Sequence, residues 1–435
     1  MAWTLSKNGA EKSLAEWGLT AGILRRRSFE KDELNFPVGR LDCLAAPLFA
    51  YDDAVILRQD GVTRFVGRIR DDGIMADQRR EQNAYRAWNL WDDLECLVYQ
   101  QNRTLRGTDF VSLTNTPTTQ VVLFRDPAFT TTWVSTTVLQ QVTALLDFAI
   151  TQGVSMARDA SFPAVQAPWS EARDITVATA LRRCQLWMPD AGSWVAYDTT
   201  PPTLHILRRS TMGTAPLDLT DATQIIRLNR LAQRNDLVPR GVTLIFLTAE
   251  TNPADGSTYT RITPSIAGAT TGPRVIVETI DLSALENAVG PFFVAPVGGT
   301  APLAADYFAT LSTLFFDGSI VLKALECPGN WHPGMLINFV HGRPDWTAVG
   351  GIVQEVTEDL FTGQTTLQFG PPPALAAADF LSLLLTGKYA RKDAPGGPGS
   401  IASSPTGANN QPHASNSVSL LLCGGQTVQV LTPGI

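Results

Sequence analysis

Period-two alternation of apolar and polar positions dominates the chain. Ala54-Val55-Ile56-Leu57 and Thr63-Arg64-Phe65-Val66-Gly67-Arg68-Ile69 flank Gln59-Asp60-Gly61-Val62. An Asp-Gly pair between two β-prone runs is a strong hairpin signal, because both turn residues tolerate positive φ. In the second arm Phe65, Gly67 and Ile69 fall on one side, which predicts a strand with one buried face. From about 220 to 370 the texture is again β. Gly241–Leu247 and Arg274–Thr279 read as strands, and a last hairpin pairs Gly351–Val356 with Gln364–Phe369 across Phe361-Thr362-Gly363. Pro371-Pro372-Pro373 ends it, since proline cannot continue a ladder.

Helical periodicity is confined to short stretches. Ala10–Leu24 carries apolar positions at mixed spacing behind a capping Ser13, which predicts a short helix. Thr137-x-x-Gln140 reads as a capping box that opens a helix from Val138 to Gln152. Val138, Val142, Leu145 and Ala149 form its stripe, joined by Leu146 and Ile150, and Gly153 supplies the stop. A second helix begins near Asp174 and sets Val177, Leu181 and Cys184 on one face. Ser193–Asp198, the proline turn Thr199-Thr200-Pro201-Pro202 and Thr203–Leu207 then read as strand, turn and strand. Leu375–Leu385 predicts a closing helix.

Residues 388–417 contain Asp393-Ala394-Pro395-Gly396-Gly397-Pro398-Gly399-Ser400 and a Ser/Asn/Pro-rich continuation, too polar to offset chain entropy, and read as a linker. Beyond it Val418–Leu422 and Gln426–Leu431, joined through Gly424-Gly425, form an apolar hairpin. A lone hairpin is marginal in water. Val418, Leu420, Leu422, Val428 and Val430 are therefore candidates for docking on a partner, by strand addition, or for folding back onto their own chain. The expected organisation is β-rich α+β: residues 1–130, an N-terminal segment and first barrel; 131–215, a helical and hairpin domain; 216–387, a second barrel region with its closing helix; 388–417, a linker; and 418–435, a docking hairpin.

Composition narrows the function. A chain of 435 residues predicts two or three domains. Net charge −7 offers no basic footprint for duplex binding. Arg25-Arg26-Arg27, followed by Glu30, Asp32 and Glu33, reads as a solvated mixed-sign face. Five well-separated cysteines make neither a disulfide framework nor a zinc or redox pair, as expected of a reducing cytoplasm. Met1-Ala2-Trp3-Thr4 lacks the features of a signal peptide, and no apolar run approaches the roughly 20 residues of a membrane helix, so no membrane anchor is expected.

No phosphate-binding loop, metalloprotease helix or nucleophile elbow is present. Cys327, His332 and His341 lie close in sequence, but their spacing matches no zinc pattern. Asp52-Asp53 and Asp92-Asp93-x-Glu95 are the paired carboxylates; both are read as flanking strands, where acids commonly solvate an edge. Asn252-Pro253-Ala254-Asp255-Gly256 reads as a turn rather than a calcium loop. Trp88, Trp91, Trp187 and Trp194 sit among apolar neighbours and are assigned to core packing. No catalytic, metal or cofactor residue is expected.

The order of elements resembles the hub proteins of phage tails, a family that includes trimeric baseplate cups and the spike bases of type VI secretion. The resemblance is carried by Tyr51–Leu57 through Phe65–Ile69, similar to the early hairpin of hub barrels, and by Gly192–Asp198 with the strand to Ile206. It is carried also by His332-Pro333-Gly334-Met335-Leu336-Ile337, Gly350–Asp359 and Thr362–Leu367, with Asp359 near where many relatives have His. Trp91–Gln101, Pro189-Asp190, Thr200–Leu204 and Phe369–Pro372 are similar to tail proteins of siphophages and prophages. The resemblance implies two hub-type barrels around a small helical domain. It also implies a non-enzymatic homotrimer joining a tail tube or distal tail protein above to a fibre or spike below. Phage DNA would pass its lumen without specific binding, and the protein would reside at the virion tail tip. The alternatives are a distal tail ring protein, a carbohydrate-binding β-protein, or a hydrolase using an unrecognised carboxylate pair.

Overall fold

Strand after strand in this chain has one face of large apolar side chains, and the result is one long curved sheet. The computed structural model describes residues 2–40, 47–76, 81–106, 113–125, 136–162, 167, 170–220, 225–233, 239–252, 254–272, 275–281, 302–312, 316–323, 331–371, 419–421 and 427–429. They fall into two compact units, Met1–Ala394 and Pro395–Ile435.

Among the described residues of the first unit thirteen strands form the main sheet. From one edge, Ala10–Ser13 pairs with Trp3–Lys7, which pairs with Ala54–Gln59, Val62–Ala76, Glu81–Trp88, Glu33–Arg40 and Ile23–Arg27 in turn. The path then crosses to the other end of the sequence. Ile23–Arg27 pairs antiparallel with Gly351–Asp359, in the register Arg27 opposite Glu355 and Ile23 opposite Asp359. Thr365–Phe369, Phe316–Leu322 and Ile225–Gln233 follow. Leu336–Val340 pairs with the start of Gly351–Asp359 and, in parallel, with Thr214–Asp218.

Residues Ala10–Ser13, expected to begin a helix, form a strand. Asn8 and Gly9, at φ 47° and 89°, turn the chain so that Ala10–Ser13 returns along Trp3–Lys7. The apolar residues that follow, Leu14, Trp17 and Leu19, enter the core from turns, with the Trp17 Nε1 donating to the Leu5 carbonyl at 2.7 Å. Their spacing reflects that use and not a helix face. The Asp60-Gly61 hairpin forms as expected, with φ 50° and 84°. Gly67 is required by contact: a Cβ there would lie 2.3 Å from the Trp88 carbonyl oxygen and 2.5 Å from the Phe65 ring.

Four helices of the described residues accompany the sheet. α1 (Leu90–Cys96) is capped by Asn89. α2 (Val138–Thr151) opens with the capping box of Thr137 and Gln140 and buries Val138, Val142, Leu145, Leu146 and Ala149. Ile150 stays partly exposed. α3 (Val177–Leu186) starts after Thr176, whose side chain accepts from the Thr179 amide; this is slightly later than the spacing around Asp174 predicts. α2 and α3 pack together beside a small sheet in which Thr203–Arg208 lies between Ala191–Ala196 and Ala157–Ser161. α4 (Pro302–Ser312) covers Gly241–Thr251 and Thr258–Gly268. α1, with seven residues, is too short to repeat a stripe, and α4 was not predicted from the sequence either. The expected helix Leu375–Leu385 and the linker 388–417 lie outside the described residues.

Two apolar clusters fill the first unit. The larger contains a ring group in which Phe36–Phe49, Phe49–Tyr85 and Phe36–Tyr85 centroids are 5.2, 5.1 and 5.6 Å apart. The smaller gathers Ile320, Leu322, Phe339, Val353, Val356, Leu367 and Phe369. In the second unit Ser419–Leu421 pairs antiparallel with Thr427–Gln429. Phe36→Ala removes a fully buried ring, and urea unfolding should show a loss of about 3–5 kcal/mol. Thr137→Ala deletes one half of the capping box on α2, for which the same measurement should give about 1 kcal/mol.

Candidate functional site

Strand Ile23–Arg27 obeys period two, which buries Leu24 and Arg26. The arginine run is therefore not a uniformly solvated face, as its mixed sign suggested: Arg25 and Arg27 keep partial exposure, while Arg26 is buried. A buried guanidinium demands an acidic partner, and the neighbouring strand Gly351–Asp359 supplies it. Arg26 Nη2 donates to Glu358 Oε2 at 3.0 Å, while Arg64 Nη2 donates to Glu358 Oε1 at 2.7 Å. Arg25 donates to Glu355 at 2.8 Å, and Arg27 pairs with Glu30 and with Glu33. One buried carboxylate is thus shared by two buried guanidiniums.

Beside it lies a network of three side chains. Asp32 Oδ2 accepts from the Tyr197 hydroxyl at 2.6 Å and Oδ1 from the Arg27 amide at 3.2 Å. Asn89 Oδ1 accepts from the Asp32 and Trp91 amides, and its Nδ2 donates to Tyr197 at 3.2 Å. These contacts tie the first strands, the cap of α1 and the central strand region at one point. Burial pushes the Asp32 carboxyl up to about 6, against the stabilising Tyr197 hydrogen bond and the nearby Arg26 charge.

Above these groups opens a cavity of about 360 Å³ whose lining includes Arg26, Arg64, Trp194, Tyr197, His205 and His332. The Trp194 indole is stacked between two imidazoles, with centroids 4.8 Å from His205 and 4.5 Å from His332 and interplanar angles of 11° and 24°. Trp194 is therefore not a core residue like Trp91, which is 1% exposed; it forms a half-buried wall. Gly334, at φ +83°, lets the chain pass this wall, since a Cβ there would lie 2.5 Å from the indole. His205 Nδ1 is 2.8 Å from Asp159 Oδ2. His332 Nδ1 meets the Pro333 carbonyl at 2.7 Å, and burial drives its pKa down to about 4, so the ring is neutral near pH 7.

Of the residues singled out in the sequence, Trp194 and His332 line this cavity, while the carboxylate pairs are engaged by basic partners. Asp52 is held by Arg68 and Arg70, and Asp53 by Lys7 and Asn8. Asp92 and Asp93 belong to α1, not to a strand boundary, and both pair with Arg70. Neither carboxylate pair stands free of basic partners. His341 points to Asp218 at 2.9 Å, remote in role from His332, and Cys327 lies outside the described residues. Among the described residues no group of three or more His, Cys, Asp or Glu is arranged to hold a metal ion. Asn252 accepts the Ala254 amide at 3.0 Å in a turn closed by Gly256. In the terminal hairpin Leu420 is directly opposite Val428; Val418, Leu422 and Val430 lie outside the described residues. No helix of the described residues is long and apolar enough to cross a membrane.

The cavity itself escaped the sequence reading. Its groups come from four separated stretches, around residues 26, 62–64, 194–205 and 332, and the one local sign was alternation: in a strand with Leu24 buried, Arg26 must be buried too.

Comparison with known proteins gives the fold its context. No protein-family model and no curated protein matches the sequence. Solved structures do match. The 43 kDa tail protein of prophage MuSo2 from Shewanella oneidensis superposes with TM-score 0.52 at 12% identity, over 86% of this chain and 100% of that one. The tail protein from Neisseria meningitidis MC58 gives TM-score 0.51 at 14% identity, over 87% of this chain and 98% of that one. The chain has the β-rich fold of these phage tail proteins.

Asp32 and His332 give the site opposed pH responses. Asp32 titrates higher folded than unfolded, so its contribution to stability grows as pH falls from about 6 toward the ordinary 3.8. His332 titrates lower folded than unfolded, so its contribution is lost as pH falls from the ordinary 6.5 toward about 4. Melting curves at pH 7.5 and pH 5 should therefore show Asp32→Asn more acid-labile than the parent protein and His332→Gln less so.

Proposed function

We propose that this chain is a structural protein of a phage tail, and within the tail the hub. The observation that carries the reading is the fold: a continuous curved sheet with a small helical domain, alike over nearly the whole length of a prophage tail protein and a second tail protein. In this reading the strands before about residue 130 and those from about 216 to 387 are two barrels of hub type. They are joined where Ile23–Arg27 pairs with Gly351–Asp359, with residues 131–215 as the domain between them. Three copies would present six similar barrels to a sixfold tail tube or distal tail protein, and a threefold end to a central fibre or spike. The protein would then work at the virion's tail tip without catalysing a reaction.

Electrostatics supports a passage for DNA. A net charge of −7 suits this reading, since a negatively charged lumen would not retain the passing polyanion. The terminal hairpin, with Leu420 opposite Val428, is the element proposed to grip a neighbouring tail protein, joined by Val418, Leu422 and Val430. Residues 388–417 are its tether.

Light scattering on the purified chain tests the assignment. The hub reading predicts a particle near three times 47.1 kDa. A stable hexamer would replace it with a distal ring protein.

A further inference from the structure

Gly241–Thr251, Thr258–Gly268 and Val275–Asp281 make a sheet of their own, with Gly241–Thr251 in the middle. Only one of its faces is covered. There Val242 and Leu244 are buried in the larger apolar cluster together with Ala304 and Leu311 of α4. On the opposite face the register aligns Leu247 with Ile262, and Thr243 with Val277. Ile262 is 65% exposed and Val277 53%. Both belong to the outer strands, whose outer edges have no strand partner among the described residues. An eleven-residue edge strand left open invites the addition of another strand. Its hydrogen bonds show which groups face out. The Ala269 amide donates to the Arg240 carbonyl, and bonded pairs alternate with non-bonded ones along an antiparallel ladder. Thr260, Ile262 and Pro264 therefore turn their backbone groups away from Gly241–Thr251. Pro264 agrees, having no amide to give to Ile245 opposite.

From this geometry we infer that the sheet is where one copy of the chain joins the next: residues 258–264 add antiparallel to Val275–Asp281 of a second copy, head to tail. The inference rests on the homotrimeric reading above and gives it a contact surface. Direction favours a second copy as the occupant. One outer strand is antiparallel to the middle strand and the other parallel to it, so the two open edges run in opposite directions. Rotation about a ring axis preserves those directions, and each copy offers its first edge to the second edge of its neighbour. A closed ring then leaves no edge open. A two-fold pairing of Thr258–Gly268 with itself would leave Val275–Asp281 open in both copies. Charge agrees with this choice. Thr258–Gly268 contains Arg261 and no acid, while Val275–Asp281 contains Glu278 and Asp281 and no base. The register that sets Ile262 opposite Val277 also sets Arg261 opposite Glu278, so a single alignment pairs the exposed apolar residues and the opposite charges.

Two measurements on the full chain test the contact. In the first, p-benzoylphenylalanine replaces Ile262, and the chain is co-assembled with an isotope-labelled copy and photolysed. Mass spectrometry should find mixed-isotope links from this position to Val275–Asp281. Links to Thr258–Gly268 of the other copy, to residues 418–435, or only within one chain overturn the inference. In the second, light scattering over a concentration series compares the parent with Ile262→Lys and Thr260→Pro. Both positions are exposed, and the proline removes only an amide that faces outward. Each variant should weaken self-association about tenfold or more, because a charge or a missing donor enters a desolvated strand pair. The proline variant keeps the test decisive if the lysine variant does not fold. A trimeric parent whose two variants associate equally well overturns this contact and leaves the hub reading standing. A parent that stays monomeric at every concentration and gives no mixed-isotope link overturns the contact and the trimer together.

Discussion

Everything distinctive in this molecule depends on one strand pair, Ile23–Arg27 against Gly351–Asp359, and on the buried carboxylate that accompanies it. The pair joins the opening strands to strands more than 300 residues later and turns two sets of strands into one sheet. Backbone hydrogen bonds alone would tolerate a slip of register. Glu358 does not, because its two oxygens are committed to Arg26 and Arg64 from two different strands. A shift would strand buried charges, and an uncompensated buried charge costs about 3–5 kcal/mol. The ion pairs thus specify the arrangement more than they strengthen it; apolar side chains in the same places could give equal stability.

That constraint also creates the cavity. A strand carrying Arg26 on its inner face cannot be closed over by hydrophobic packing, so the central region approaches it with polar and aromatic groups: Tyr197 through Asp32 and Asn89, and Trp194 between two histidines. The same junction holds three parts of the chain and leaves a space between them. A continuous sheet binds these parts into one body with main-chain hydrogen bonds rather than with a side-chain interface between domains. The helical region rests on this frame through Phe29, whose amide is bonded to Ser193 and whose carbonyl receives Arg182.

Local features were legible in the sequence because local chemistry fixes them. The Asp60-Gly61 turn, the Thr137–Gln140 capping box and the strand Gly351–Asp359 each announce themselves within a few residues. The opening segment was misread because Leu14, Trp17 and Leu19 serve the core from turns, which have no period. The arginine run was misread because sign pattern was weighed and strand parity was not. The cavity lay beyond reach: Arg26, Arg64, Trp194 and His332 meet through pairings remote in sequence, which single-chain periodicity does not encode. The hub resemblance rested on short patches in a fixed order; what the comparisons show is the fold, shared with two tail proteins at 12% and 14% identity.

The central physical claim is that the strands before residue 90 and those between 225 and 369 form one cooperative sheet through this strand pair. Native-state hydrogen exchange on the amides of residues 23–27 and 355–359 tests it most directly. One sheet predicts that both segments exchange with a common free energy close to that of global unfolding, and that Glu358→Gln lowers both together. Exchange of one segment through a lower-energy opening, while the other stays protected, would show two separately stable halves and contradict the account.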